Sequence, residues 1–310
     1  MQPYRFKTIS EYHKIMGLPV PAHPLVSVID LESIKQLPDE RLAGIDKFSL
    51  VFDFYNIALK RNLHAKFKYG QQKYDFDEGI MFFMAPGQVF GIEIDEAGKK
   101  LHRPRGWALL IHPDFLWNTS LAKTIKQYQF FGYAVNEALM LSEKEETILN
   151  DLIKNLEHEY LSNIDDFSKD VMVSQIELLL NYSNRFYNRQ FITRGQTNHD
   201  LLIKFDDLLG DYFDRQSGTQ EGLPTVGYIA DKLNMSPNYL SDMLRHLTGQ
   251  NAQQHIHNKL IEQAKEALST TSLSVSEISH RLGFEHPQSF NKLFKNKTNV
   301  SPLKFRSSFR

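Results

Sequence analysis

The spacing of apolar residues changes character twice along the chain. Up to about residue 135, aromatic and aliphatic residues come in short, partly alternating runs, at Phe48–Phe54, Leu63–Tyr69, Gly79–Met84, Val89–Ile94 and Gly106–His112. Turn-forming stretches such as Gly70–Lys73, Ala85–Gln88 and Asp95–Gly98 bound them. Alternation between such turns predicts strands, and short antiparallel strands close naturally into a small barrel. From 136 to 216 the period lengthens. Ile148, Leu149, Leu152, Ile153, Leu156 and Tyr160 form one helical stripe, Met172, Ile176, Leu179, Leu180 and Tyr187 a second, and Asp200–Phe213 predicts a third helix. Such stripes are covered either by packing on the barrel or by pairing between subunits. Residues 217–223, with Ser217, Gly218 and Gly222, read as a flexible hinge.

From 224 to 310 the pattern repeats. Thr225-Val226-x-x-Ile229-Ala230-x-x-Leu233 returns as Ser274-Val275-x-x-Ile278-Ser279-x-x-Leu282, at an offset of 49. Leu240-x-x-x-Leu244-x-x-x-Thr248-Gly249 returns as Phe290-x-x-x-Phe294-x-x-x-Thr298-Asn299, at an offset of 50, so one residue is inserted in the intervening turn. Each unit therefore predicts two short helices. Thr225 is the first N-cap, and Asn234 follows Leu233 as a residue that tolerates the left-handed conformation. Ser236-Pro237 starts the second helix, because proline's missing N–H costs nothing in the first turn. In the second unit Ser274-x-x-Glu277 is a capping box, Gly283 closes the helix and Pro287 opens the next. Two helices joined by a tight turn make a helix-turn-helix, whose second helix can enter a major groove. Ala252, Ile256, Leu260, Ala264 and Leu268 recur at every fourth residue and predict one helix linking the two units.

Ile278-x-x-x-Leu282-Gly283-Phe284, Gln288-Ser289-Phe290-x-x-x-Phe294-Lys295 and Thr298-x-x-Ser301-Pro302-x-x-x-Arg306 together resemble the signature of AraC/XylS-type transcription regulators. The resemblance covers about residues 222–310. Two positions depart from it: Asn299 stands where glycine is usual, and Ser279 where alanine is. The resemblance implies a multidomain α+β chain, with a cupin-like antiparallel β-barrel at 1–135 as regulatory domain. An acidic helical connecting and dimerising region would span 136–216, followed by the hinge at 217–223 and an all-α DNA-binding domain at 224–310. It implies a transcription regulator whose partners are double-stranded DNA, a second copy of the chain, a small-molecule effector and RNA polymerase.

Charge sharpens this picture. Residues 222–310 hold 11 Lys and Arg against 6 Asp and Glu, a net +5 that leaves −6 for the rest, so a basic module is hidden in a nearly neutral chain. Such a module suits phosphate neutralisation. Its five histidines, at 246, 255, 257, 280 and 286, add charge below about pH 6.5. Discounting the buried faces leaves Gln288, Ser289, Asn291, Lys292 and Lys295 outward on the second recognition helix, and Asn238, Ser241, Asp242 and Arg245 on the first. Gln or Asn pairs with adenine and Lys with guanine. Lys295 and Arg245 suit phosphate, Arg306 either phosphate or a structural role, and Asp242 either a cytosine amine or a solvated surface.

The chain has no cysteine, which removes disulfides and thiolate metal sites and fits a reducing cytoplasm. No apolar run approaches the ~18 residues of a membrane span. Cupin metal sites use a His-x-His pair, whereas the barrel region has only His64, His102 and His112, so neither metal nor cofactor is expected. The one His-x-His, His255 and His257, falls on the linking helix, where residues two apart diverge and are expected to be solvated. Phe54, Phe82, Phe90 and Trp107 suit either a ligand-binding barrel mouth or a plugged core. No nucleophile and base pairing or phosphate loop points to catalysis. A cupin-type enzyme with a helical appendage and a regulator without effector are the alternatives.

Overall fold

The computed structural model describes residues 3–34, 47–61, 68–69, 72–73, 79–93, 105–162, 165, 167–193, 195–216 and 222–309. The chain divides into two compact units, Met1–Gln190 and Phe191–Arg310. Leu63–Phe67, Asp95–Gly98, His64, His102 and residues 217–221 of the hinge lie outside the described residues.

The first unit is built on strands. Its strands are β1 (Tyr4–Phe6), β2 (Val26–Asp30), β3 (Lys47–Phe52), β4 (Tyr55–Arg61), β5 (Lys68–Tyr69), β6 (Gln72–Lys73), β7 (Ile80–Met84), β8 (Val89–Glu93), β9 (Arg105–Ile111) and β10 (Leu139–Met140), with helix α1 (Ile9–Ile15) between β1 and β2. Five of them form an antiparallel sheet in the order β10-β7-β4-β9-β2, three form a second sheet in the order β1-β3-β8, and β5 pairs with β6. The expectation of a wholly antiparallel arrangement is corrected at one place. β1 runs parallel to β3, with Tyr4 opposite Leu50 and Phe6 opposite Phe52. Between the two, α1 and then β2, which belongs to the other sheet, intervene in the chain.

A buried cluster draws Phe6 from β1, Leu50 and Phe52 from β3, Ala58 from β4, Ala108 and Leu110 from β9, and Ile9 and Tyr12 from α1. Phe54 is fully enclosed in it, so this aromatic belongs to a plug and not to a barrel mouth. Burial raises the Tyr12 phenol to about 12. The opposite side of the five-stranded sheet is covered by helical segments. Tyr55 meets Phe131 with ring centroids 5.1 Å apart, and Phe83 meets Phe130 at 4.4 Å. Trp107 Nε1 donates to Asn150 Oδ1 at 2.8 Å and Arg61 Nε to Glu146 Oε1 at 2.5 Å, both partners lying on α3 (Glu143–Leu161), α2 being the single turn Leu121–Thr124. Trp107 thus faces helix, away from the interior between the sheets. The stripe of α3 is buried at Leu149, Ile153, Leu156 and Tyr160, and that of α4 (Ser168–Thr193) at Met172, Ile176, Leu179, Leu180 and Tyr187. For α3 the cover is the sheet of its own subunit. His112 caps the 3-10 turn after β9 by accepting from the Asp114 amide at 3.3 Å.

The second unit is all helix: the end of α4, then α5 (Gly195–Gln216), α6 (Val226–Lys232), α7 (Pro237–Thr248), α8 (Ala252–Thr270), α9 (Val275–Arg281), α10 (Pro287–Thr298) and α11 (Pro302–Ser307). α5 is an integral part of it. Phe205 is fully buried and meets the His255 ring at 5.6 Å, and Tyr212 meets Tyr228 of α6 at 5.3 Å. α8 carries the expected stripe, with Ala252, Ile256, Leu260, Ala264 and Leu268 all buried. It touches α6, α7, α9, α10 and α11, which makes it the core that positions both helix pairs. Among the described residues, no helix is long and apolar enough to cross a membrane.

Candidate nucleic-acid interface

The turns before the two recognition helices use the same closure despite their unequal length. In the first, Asn234 takes φ 56°, its N–H donates to Asp231 O at 3.1 Å, and the Met235 N–H donates to Ala230 O at 2.9 Å. In the second, Gly283 takes φ 86°, its N–H donates to His280 O at 3.0 Å, and the Phe284 N–H donates to Ser279 O at 3.1 Å. This is the paired closure that a left-handed residue after a helix permits. The insertion follows immediately after it. Ser236 then caps α7 by accepting from the Tyr239 amide at 3.2 Å. At the corresponding place His286 makes no side-chain cap, and Pro287 alone prepares the first turn of α10.

Both recognition helices end alike. Gly249 and Asn299 take φ 76° and 61°, and their amides donate to Arg245 O and Lys295 O at 2.9 and 2.8 Å. Asn299 therefore does the work of the usual glycine. Thr248 Oγ1 donates to Leu244 O at 2.7 Å and accepts from the Gln250 amide at 3.2 Å, while Thr298 Oγ1 donates to Phe294 O at 2.8 Å and accepts from the Val300 amide at 3.4 Å. Asn251 caps α8 and Ser301 caps α11 through their side chains. The repeat consequently extends to a third helix in each unit. The signal was present in Asn251-Ala252 and Ser301-Pro302, again 50 apart, but the residues after them diverge.

These ends fix which faces turn inward. α7 buries Tyr239, Leu240, Met243 and Leu244, and α10 buries Phe290 and Phe294, with Leu293 half-buried. Phe290 sits between Phe284 at 5.5 Å and Phe294 at 5.8 Å, and Phe294 meets Phe305 of α11 at 5.5 Å. Truncating either phenylalanine would cost about 3–5 kcal/mol. The remaining face of α10 is polar and exposed throughout, with Gln288, Ser289, Asn291, Lys292 and Lys295 side by side along it. Of the four candidate readers on α7, Arg245 is exposed, while Asn238, Ser241 and Asp242 are half-buried. Asp242 Oδ1 accepts from Arg245 Nη1 at 2.5 Å, so the cation and the anion of that face are paired with each other.

Three side chains differ from their sequence reading or resolve it. His255 and His257 are half-buried and hydrogen-bonded, not solvated: His255 Nε2 lies 2.7 Å from Thr248 Oγ1, and His257 Nε2 lies 2.9 Å from Gln253 Nε2. Packing of α8 against its neighbours overrides the divergence of residues two apart, and burial lowers both imidazole pKa values. Arg306 takes the structural role, with Nε donating to Leu268 O at 3.3 Å, where it satisfies a carbonyl in the last turn of α8. Asn258 was not singled out by the sequence. It donates to Gln250 Oε1 at 2.7 Å and accepts from Lys297 Nζ at 3.1 Å, clasping the turn after α7 to the end of α10.

Residues 229–308 match the family described as "Helix-turn-helix domain". The Msm operon regulatory protein of Streptococcus mutans is 35% identical over 27% of this chain, and the arabinose operon regulatory protein of Escherichia coli is 30% identical over 26%. The chain spans 31% and 28% of those relatives' own lengths. Among solved structures, the C-terminal domain of the response regulator yesN from Fusobacterium nucleatum is 29% identical, covering 33% of this chain and 96% of that one, with a TM-score of 0.29. The C-terminal domain of this chain is an AraC/XylS-type double helix-turn-helix domain.

Proposed function

We propose that the chain is a sequence-specific transcription regulator whose two helix-turn-helix units read successive major grooves of double-stranded DNA. The observation that carries this reading is the outward face of α10, where Gln288, Ser289, Asn291, Lys292 and Lys295 are all exposed on a helix whose other face is anchored by two buried phenylalanines. Amide side chains in its first turns have the donor and acceptor pattern that adenine presents, and the lysines toward its end suit guanine or phosphate. α7, with Asn238, Ser241, Asp242 and Arg245, is the second reader. Its paired Asp242 and Arg245 give it less attraction to phosphate, so its contribution is discrimination more than affinity.

The first unit is the regulatory part in this reading. Its two sheets around a shared core suit a cupin-like domain that answers an effector or partner, and the chain acts as a homodimer that engages RNA polymerase at its promoters. The test is direct. Binding of the full chain to duplex DNA is measured against salt, and bound sites are mapped genome-wide. A steep fall of affinity with salt together with a recurring pair of half-sites about one helical turn apart supports the reading. Salt-independent binding, or bound sites with no common sequence, would overturn it.

A further inference from the structure

The repeat in the second unit contains its own control for one group of side chains. In the first copy the turn after α7 is fastened to α8 by polar groups: Thr248 Oγ1 lies 2.7 Å from His255 Nε2, and Gln250 Oε1 accepts from Asn258 Nδ2 at 2.7 Å. In the second copy, 50 residues on, the counterparts of Gln250, His255 and Asn258 are Val300, Phe305 and Ser308. There Phe305 packs on the Phe294 ring at 5.5 Å, and Ser308 Oγ donates to Phe305 O at 2.6 Å within its own turn. The same turn is thus closed without an amide pair, and Gln250 and Asn258 answer to something other than the local fold.

The other end of the Asn258 amide shows what that is. Its Oδ1 accepts from Lys297 Nζ at 3.1 Å, so one half-buried side chain on α8 holds the turn that ends α7 by its donor and the last turn of α10 by its acceptor. Lys297 departs from the repeat as well, because its counterpart is the half-buried Leu247. Burial first and Lys297 second lower the pKa of the neighbouring His257, so near neutral pH the ammonium faces an uncharged ring. The buried stripe of α8 is wholly apolar, and apolar contact is non-directional, tolerating small slides and rotations of the helices packed on it. A hydrogen bond holds only over a narrow range of distance and angle, and a single polar tie in an apolar contact specifies register.

We propose that Asn258 is a positioning residue for DNA recognition: through Gln250 and Lys297 it sets the distance and rotation between α7 and α10, and with them the number of base pairs accepted between the two half-sites. The inference rests on the reading that both recognition helices enter one duplex. An inserted base pair displaces the second half-site by about 3.4 Å and turns it by about 34° around the duplex axis. A fixed pair of helices rejects that change, and a loosely joined pair follows it. Lys297 is thereby set apart from Lys292 and Lys295, since its ammonium serves the protein and not the phosphates.

The test has two arms, both on the full chain. In the first, the mapped cognate site is prepared with one base pair added to or removed from the stretch between its half-sites, and Kd is measured for each duplex. The wild-type chain is expected to lose about 10-fold or more with either change. Asn258→Ala and Lys297→Met are each expected to cut that penalty to about 3-fold, and the double variant no further. Gln250→Glu keeps an acceptor for Asn258 and is expected to retain the discrimination. Lys297 is exposed, so Lys297→Met carries the test if Asn258→Ala does not melt cooperatively. A wild-type chain indifferent to spacing, or a penalty undiminished in the variants, overturns the inference. So does a Lys297→Met chain that weakens at every spacing alike with a shallower salt slope, which would make Lys297 a phosphate contact.

The second arm needs no DNA. The chain has no cysteine, so His246→Cys combined with Asn296→Cys, two exposed positions 50 apart in the repeat, places spin labels on α7 and α10 alone. Dipolar spectroscopy on labelled chains diluted with unlabelled protein reads the distance between them. A narrow distribution is expected that broadens in Asn258→Ala and in Lys297→Met, and a distribution unchanged by both variants overturns the tie. If the distribution broadens while no duplex is bound specifically, the regulator reading falls and Asn258 stands as the tie between the two helices.

Discussion

Arg245 reaches back one helical turn along α7 to place Nη1 2.5 Å from Asp242 Oδ1. The carboxylate is 18% exposed and the guanidinium 54%, so the pair lies at the rim of the recognition face with its cation already engaged. Replacing Asp242 by Asn removes a charge that repels phosphate and frees Arg245. Affinity for random duplex is expected to rise, and the slope of log K against log salt to steepen by roughly 1 to 2. Anisotropy titrations across a salt series measure it. An unchanged slope would mean that this face of α7 stays clear of the DNA backbone.

Gln288 and Lys295 are expected to part company when each is changed to Ala. Gln288 lies in the first turn of α10, where base edges are reached, and its loss should cost about 1–3 kcal/mol of discrimination between the cognate site and random DNA. Lys295 lies two turns on, and its loss should weaken all sequences alike and reduce the salt slope by about 1. Paired titrations with cognate and scrambled duplexes separate the two. Equal losses on both duplexes for Gln288→Ala would remove it from the readout set.

How much of this was legible beforehand depends on whether a residue's role is local. The caps at Thr225, Ser236, Ser274 and Ser301, and the left-handed residues Asn234, Gly283 and Asn299, act within one turn, and their chemistry is written in the sequence. The stripe of α8 was equally plain, because five apolar residues at every fourth position leave little choice. β4 was not read at all. Tyr55, Ile57 and Leu59 alternate there with Asn56 and Lys60, but only pairing with both β7 and β9 identifies it as the centre of the sheet. For Trp107 and Phe54, residue type alone left a barrel mouth and a plugged core equally open, whereas register sends Trp107 to a helix and packing against α1 encloses Phe54. The pairing of Asp242 with Arg245 and the clasp at Asn258 depend on rotamers and on helix contacts, which one sequence does not display.

Asn234 and Asn299 test the turns. Both hold a left-handed backbone, which an alanine adopts at a cost of about 1–2 kcal/mol, so Asn234→Ala and Asn299→Ala should each destabilise the second unit by about 1 kcal/mol. Glycine carries no such penalty, and Asn299→Gly should leave stability within about 0.5 kcal/mol. Urea unfolding midpoints at constant m-value report the differences. If Asn299→Ala matched Asn299→Gly, the left-handed cap would not be the reason for the asparagine.

Ser279 is fully buried where α9 packs, and its hydroxyl has no hydrogen-bond partner. An unpaired buried hydroxyl costs about 1–3 kcal/mol, while alanine at this site keeps the Cβ and removes the orphan atom. Ser279→Ala should therefore raise the stability of the second unit by about 1 kcal/mol. The check is thermal unfolding followed alongside DNA affinity. A lowered melting temperature would show that the hydroxyl finds a partner in solution.

His255 and His257 set the pH dependence of the same unit. Burial lowers both pKa values from 6.5, with Asp206 opposing the shift at His255 and Lys297 adding to it at His257. A base whose pKa is lower when folded is protonated first in the unfolded chain. The stability it leaves intact above about pH 6.5 is thus lost progressively as pH falls from there toward the folded pKa, and the loss levels off below it. His255→Gln keeps a polar group beside Thr248 and removes the titration. The variant should lose less stability than the wild-type chain between about pH 7 and pH 5, read from urea midpoints at matched ionic strength. An identical pH profile in the two proteins would mean that His255 is as readily protonated in the fold as outside it.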